Sequence, residues 1–156
     1  MGEHYLALKW LHVVGATVLF GTGLGTAFHF WHTVRTGNVA AIAASARATV
    51  LADYVFTLTA GILQPVTGVL LAAAAGYPLG STWIVASAAL YLVTAACWVP
   101  VLFIQLRMRR IAGQCEREGQ PLGEEFRALF RRWSLLGWPA FIALSIVFWL
   151  MIARPA

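Results

Sequence analysis

The sequence predicts an all-α protein, a four-helix transmembrane bundle with both termini on the non-cytoplasmic side. Of its 156 residues, 60% are hydrophobic and only 11% charged, the balance of a membrane chain rather than an aqueous domain. Lys, Arg, Asp and Glu are absent from 10–34, 54–106 and 133–153. A bilayer core asks for about 20 apolar residues per helix, so the middle window holds two spans and a turn. The basic residues fall between particular spans: Arg35 and Arg47 in the first connection, Arg107, Arg109, Arg110, Arg117, Arg127, Arg131 and Arg132 in the third, none in the second. The positive-inside bias then puts the first and third connections in the cytoplasm. The net charge of +5 reads as this topology signal, and nucleic acid is excluded as a partner.

The first span covers about 6–33, with Lys9 near its start where its stem can snorkel to the interface. It is too long, and ends in too bulky a His-Phe-Trp-His sequence, for a cleaved signal peptide, and is expected to stay in the mature protein. Gly21 and Gly25 form a small-xxx-small pair suited to close helix approach. Gly37 can close this helix and Asn38 can cap the next, a short helical extension at about 39–52 in the cytoplasm. The second span runs over about 53–75, with Gln64-Pro65 expected to kink it and Thr57, Thr59 and Thr67 available to freed carbonyls. Gly76 to Ser81 is an uncharged turn in which Ser81 or Thr82 can cap the third span, about 83–106. A second cytoplasmic extension, about 107–132, breaks at Gly119-Gln120-Pro121, restarts near Glu124 and Glu125, and leads into the last span at about 133–153. Trp10, Trp83 and Trp149 then fall toward the outer interface and Trp31 and Trp133 toward the inner one, as aromatic belts do.

Three of the four histidines lie in the first helix. His12 is about two turns into its outer half. An intramembrane imidazole must pair or bind something, and it is a good ligand for haem iron, copper or zinc. The plainer alternative is a neutral ring hydrogen-bonded to a neighbouring hydroxyl or carbonyl. At about 100° per residue His12 points away from Gly21 and Gly25, and it stands about 25 Å along the axis from His29, so the two cannot share one ion. No later span contains histidine, so a second axial ligand would come from Met151, from Lys9, or from His12 of a second copy in a symmetric dimer; five-coordinate iron is the remaining option. His29 and His32 share a helix side near the cytoplasmic end, with Asp53 at similar depth. That trio is a candidate zinc or proton-carrying site, or a set of interfacial polar groups wetted by headgroup water. Asp53 has a further candidate partner in Arg131 or Arg132. Cys97 and Cys115 differ in depth and spacing from any disulfide or CxxC metal pattern. Gly21-x-Gly23-x-Gly25, inside an apolar helix, lacks the strand context of a nucleotide fingerprint.

Leu8-Lys9-Trp10-Leu11-His12-Val13-Val14-Gly15 followed by Phe20-Gly21-Thr22-Gly23-Leu24-Gly25 closely resembles a bacterial family of small predicted integral membrane proteins known only as a domain of unknown function. Leu51 to Phe56, Gln64-Pro65, Gly76 to Leu79, Cys97 to Pro100 and Gly137 to Phe141 match as well. The resemblance covers the chain and implies four spans in a bacterial inner membrane. More distantly, Lys9-x-Leu11-His12-x-x-Gly15 looks like the opening of HemJ-type protoporphyrinogen oxidases and, less so, of CopD-type copper-resistance membrane proteins. The former implies a haem-ligand role for His12. It also uses a lysine in a later helix, whereas Lys9 is the only lysine here.

The expectation is a bacterial inner-membrane haem b protein, with His12 on iron, exchanging electrons with a quinone or small-molecule partner. The alternative is a cofactor-free assembly subunit that docks a partner through the first helix and the Arg-rich arms. Metal or proton transport through His29, His32 and Asp53 is a third reading.

Overall fold

The structure, a computed structural model, describes residues 3–155. It is all-helical: α1 (Glu3–Arg35), α2 (Val39–Ala52), a π-helical turn (Asp53–Thr57), α3 (Leu58–Ala74), α4 (Thr82–Glu118) and α5 (Glu124–Ala153). Because α2, the π-turn and α3 follow without a break, four helical rods result, and each is long and apolar enough to cross a membrane.

Local chemistry explains the rod ends. Asn38 accepts the Ala41 amide at 3.0 Å and starts α2, while Gly37 just before it takes the left-handed φ of +70° that a side chain would resist. Gly119 ends α4 in the same way, at φ +64°. Ser81 stands at the cap position of α4, but its hydroxyl donates back to the Pro78 carbonyl rather than to the helix.

The second rod runs on from α2 into α3 through the π-turn at Asp53, where the sequence reading places the border between a helical lead-in and the span. Asp53 is buried, and the Leu58 amide reaches back five residues to the Asp53 carbonyl. That extra residue in the turn brings Asp53 and Thr57 inward together, and the Thr57 hydroxyl donates to the Asp53 carboxylate at 2.9 Å. A single π-turn of this kind is uncommon and often marks a functional position.

Pro65 does not interrupt α3. Proline lacks the N–H that would bond the carbonyl four residues earlier, here that of Gly61. The Tyr91 hydroxyl of α4 donates to that carbonyl at 2.5 Å, so the orphan is satisfied from a neighbouring rod. Helices α4 and α5 likewise run through Pro100 and Pro139.

Packing is uneven. Rod α4 lies along α5, and α1 lies along α3, while the α1 and α5 backbones stand further apart and meet mainly through aromatic side chains, Phe20 against Phe141 and Phe148, and Phe30 against Phe130 and Trp133. The tightest core gathers at the Arg-rich end, where Phe30 of α1, Ile42 and Ala46 of α2, Met108 of α4, and Phe126 and Trp133 of α5 are buried against one another. Phe30 meets Trp133 edge to face at a centroid distance of 5.4 Å. Ion pairs tie the same region together, Arg47 to Glu116 at 2.9 Å and Arg107 to Glu125 at 2.5 Å. At the opposite end Arg154 caps α5, bonds the Tyr77 hydroxyl and lies over its ring.

Candidate functional site

Two polar constellations lie inside the spans. The first joins α1 to α3 around His12. Its Nδ1 stands 2.7 Å from the Thr67 hydroxyl oxygen. The Thr67 hydroxyl has one hydrogen, and its nearest carbonyl is that of Leu63, also 2.7 Å away. The hydrogen-bond network therefore assigns the proton of that contact to His12: Nδ1–H donates to Thr67, and Nε2 keeps a lone pair. A partner on one ring nitrogen that fixes the other for coordination is the usual arrangement around a metal-bound histidine.

Two glycines make room for this node. Gln64 donates from Nε2 to the His12 backbone carbonyl at 3.0 Å, and a Cβ at Gly15 would stand 2.6 Å from that same Nε2. On the other side, a Cβ at Gly68 would come within 3.4 Å of His12 Cε1. The ring is thus clasped between α1 and α3, half-buried, with one oriented face.

The second constellation borders a cavity of about 600 Å³ between all four rods. Its walls are aliphatic and aromatic, with Trp98, Trp133 and Phe141 among them. Asp53, Thr57 and Gln105 mark its Arg-rich end. Asp53 and Gln105 are 3% and 5% exposed, and Gln105 Oε1 has no hydrogen-bond partner.

Sequence expectation and structure meet unevenly here. His12 is drawn into the bundle, but its hydrogen bonds run only to α3; Lys9 is exposed, and neither it nor Met151 is among the groups bonded to His12. His29 and His32 are exposed on α1, His32 stacking on Phe28, whereas Asp53 is buried. Among the described residues no three His, Cys, Asp or Glu gather closely enough to hold a metal ion. Asp53 takes Thr57 as its partner rather than Arg131 or Arg132, both of which are exposed. Gln64, Thr67 and Gln105 carry more of the interior chemistry than the sequence reading gave them. Gln64 and Gln105 are the two amide side chains in the charge-free stretch up to Leu106, and an intramembrane polar residue is by default a functional candidate.

The family model for predicted integral membrane proteins of the DUF2269 type matches residues 6–155. The chain belongs to the DUF2269 family. Its description states membrane integration, in agreement with the four candidate spans of this DUF2269 chain. No curated protein and no solved structure matches it.

Proposed function

We propose that this integral membrane protein is a small redox protein of the bacterial inner membrane that holds haem b through His12 and exchanges electrons with a quinone or another small molecule. The observation that carries the reading is the Thr67 contact, which leaves Nε2 as the free donor atom of an oriented imidazole. The residues present would offer iron one ligand, the Nε2 of His12. Gly68 beside the ring leaves it no competing side chain, and Thr67 and Gln64 fix the ring and its backbone. Haem iron would supply a one-electron ferric/ferrous couple. Thr67 would keep the proton on Nδ1, and Gln64 would hold the α1 backbone against α3. A second ligand would have to come from Met151, Lys9, a second copy or a small molecule. The concentration of arginines in the first and third connections supports termini on the non-cytoplasmic side.

The test is the visible spectrum of protein purified in mild detergent from haem-replete cells, oxidised and reduced. A Soret band that is lost in His12→Ala and weakened or shifted in Thr67→Val supports the assignment. A colourless wild-type protein overturns it.

The second reading, a cofactor-free assembly subunit, is favoured by one specific feature. Gly21 and Gly25 meet nothing within 4 Å, so the small-residue face of α1 is not used by this chain's own helices. Gly21→Leu/Gly25→Leu should then abolish cross-linking to a membrane partner and leave the fold intact.

A further inference from the structure

We propose that the interior cavity is a binding site for a lipophilic hydroxyarene of the quinol class, with a ring hydroxyl donating to Gln105 Oε1 and the apolar tail leaving between α1 and α5. The site is independent of iron at His12: Leu19 is the first residue of α1 on its wall, seven residues beyond His12. From the redox reading it takes only the class of partner.

The polar end of the cavity sets the head group. Gln105 lines the cavity, is almost fully enclosed, and its Oε1 is unpartnered and covered as it stands; a buried acceptor without a donor is unfavourable enough to expect one, which a turn of the Gln105 side chain toward the cavity would admit. The Gln105 side chain neighbours the Asp53 carboxyl, to which Thr57 already donates. What the site asks for is therefore a donor. Among the described residues no Lys, Arg or His lines the cavity, so a fatty carboxylate or phosphate head would find no cation there and would stand near the Asp53 carboxyl. An ammonium head would need its charge stripped of water beside Trp98 and Trp133, whereas a neutral hydroxyl needs one acceptor.

The walls set the body. Trp98, Trp133 and Phe141 come from two rods and offer faces and edges on which a flat ring can pack. The mouth lies where the α1 and α5 backbones stand apart, between the Phe20–Phe141 and Phe30–Trp133 contacts: Phe28 and Trp138, which line the cavity from these two rods, are also exposed on the outer surface. A tail leaving there enters the acyl layer directly.

The experiment uses the full chain in nanodiscs and a diazirine-bearing decylhydroquinone, with labelled peptides mapped by mass spectrometry. Labelling is expected on α1, α4 and α5 peptides around the cavity. Decylhydroquinone should compete at about a tenfold lower concentration than decylbenzene, which has the ring and tail without the hydroxyls, and at a lower concentration than dodecylamine. Gln105→Leu should raise the competing concentration about five- to tenfold, the span expected for one hydrogen bond. Thr94→Trp, which fills the cavity wall, should abolish labelling there. His12→Ala should leave labelling unchanged, so failure of the haem assignment is separable from failure of this one. Equal competition by decylbenzene would reduce the cavity to a slot for acyl chains and overturn the proposal. So would stronger competition by dodecylamine, or labelling indifferent to both Gln105→Leu and Thr94→Trp.

Discussion

Tyr91→Phe removes one hydroxyl from the middle of the bundle, and the consequence depends on a proline in another helix. The Gly61 carbonyl has no backbone N–H from residue 65 because that residue is proline, and its donor is Tyr91 at 2.5 Å. With the hydroxyl gone, a carbonyl is left unpaired in apolar surroundings. Stranding a buried acceptor costs about 1–3 kcal/mol, and interhelical hydrogen bonds measured within membranes average about 0.6 with a maximum near 1.7 kcal/mol. The lower part of the first range, about 1–2 kcal/mol, is expected. Pro65→Ala supplies an N–H to the same carbonyl, so in that background Tyr91→Phe removes a second, dispensable bond and should cost about 0.5 kcal/mol. The double-mutant cycle then yields a coupling of about 1 kcal/mol. Reversible unfolding in mixed detergent micelles, followed by circular dichroism, measures all four proteins. Equal costs of Tyr91→Phe in the two backgrounds would refute the reasoning.

Three further outcomes follow from the same geometry. Gly15→Ala forces the Gln64 amide away from the His12 carbonyl, because the new methyl would lie 2.6 Å from Nε2; a loss of about 1–2 kcal/mol in the same unfolding assay is expected, with Gln64→Ala relieving the clash in the double variant. Phe30→Ala empties the centre of the Arg-rich core, where Phe30 is 1% exposed, and should cost about 3–5 kcal/mol, measured as a shifted unfolding midpoint. Arg127, bonded to Glu124 at 2.7 Å, holds that exposed carboxyl below the usual carboxylate range. A depressed carboxyl favours the folded arm above its unfolded pKa and loses that contribution as pH falls through the folded value, so the effect disappears only in acid. A carboxyl-detected NMR titration should show the Glu124 midpoint rise in Arg127→Ala, and an unmoved midpoint would refute the pairing.

The parts of the fold that were legible in the sequence are those decided within a few residues or by composition. Charge-free windows are enough to yield four rods, and Asn38 and Gly119 end or begin helices through contacts with their immediate neighbours. The π-turn was hidden because Asp53, read as a charge at a membrane border, is instead buried and held by a hydroxyl four residues on. How the carbonyl freed by Pro65 is satisfied was hidden because the group that replaces the missing donor lies 30 positions from the carbonyl it serves. Of the interior chemistry, His12 stands out in sequence as a polar residue among apolar ones, but its partner Thr67 is 55 positions away and reads there only as a hydroxyl available to a freed carbonyl. Gln105 carried a signal of its own, an amide in a charge-free stretch, and needed only the rule that buried polar groups find partners.

The contrast between a tight core at one end and a cavity in the middle follows from where each sits. The Phe30, Met108 and Phe126 cluster lies where the rods carry arginines and emerge from the charge-free windows, so water drives its apolar groups together. Between the spans no such force acts, because acyl chains are as apolar as leucine and packing alone holds helices together. In an aqueous protein, an apolar space of about 600 Å³ would leave its lining either without packing partners or wetted by water, both unfavourable. In a bilayer the same space is inexpensive, since lipophilic matter enters it without passing through water. What remains costly there is a polar atom without a partner, and Gln105 Oε1 is one. The volume can therefore be filled by many apolar molecules, but only one that brings a donor to the Arg-rich end satisfies the whole site, and selectivity rests on that single oxygen more than on the shape of the walls.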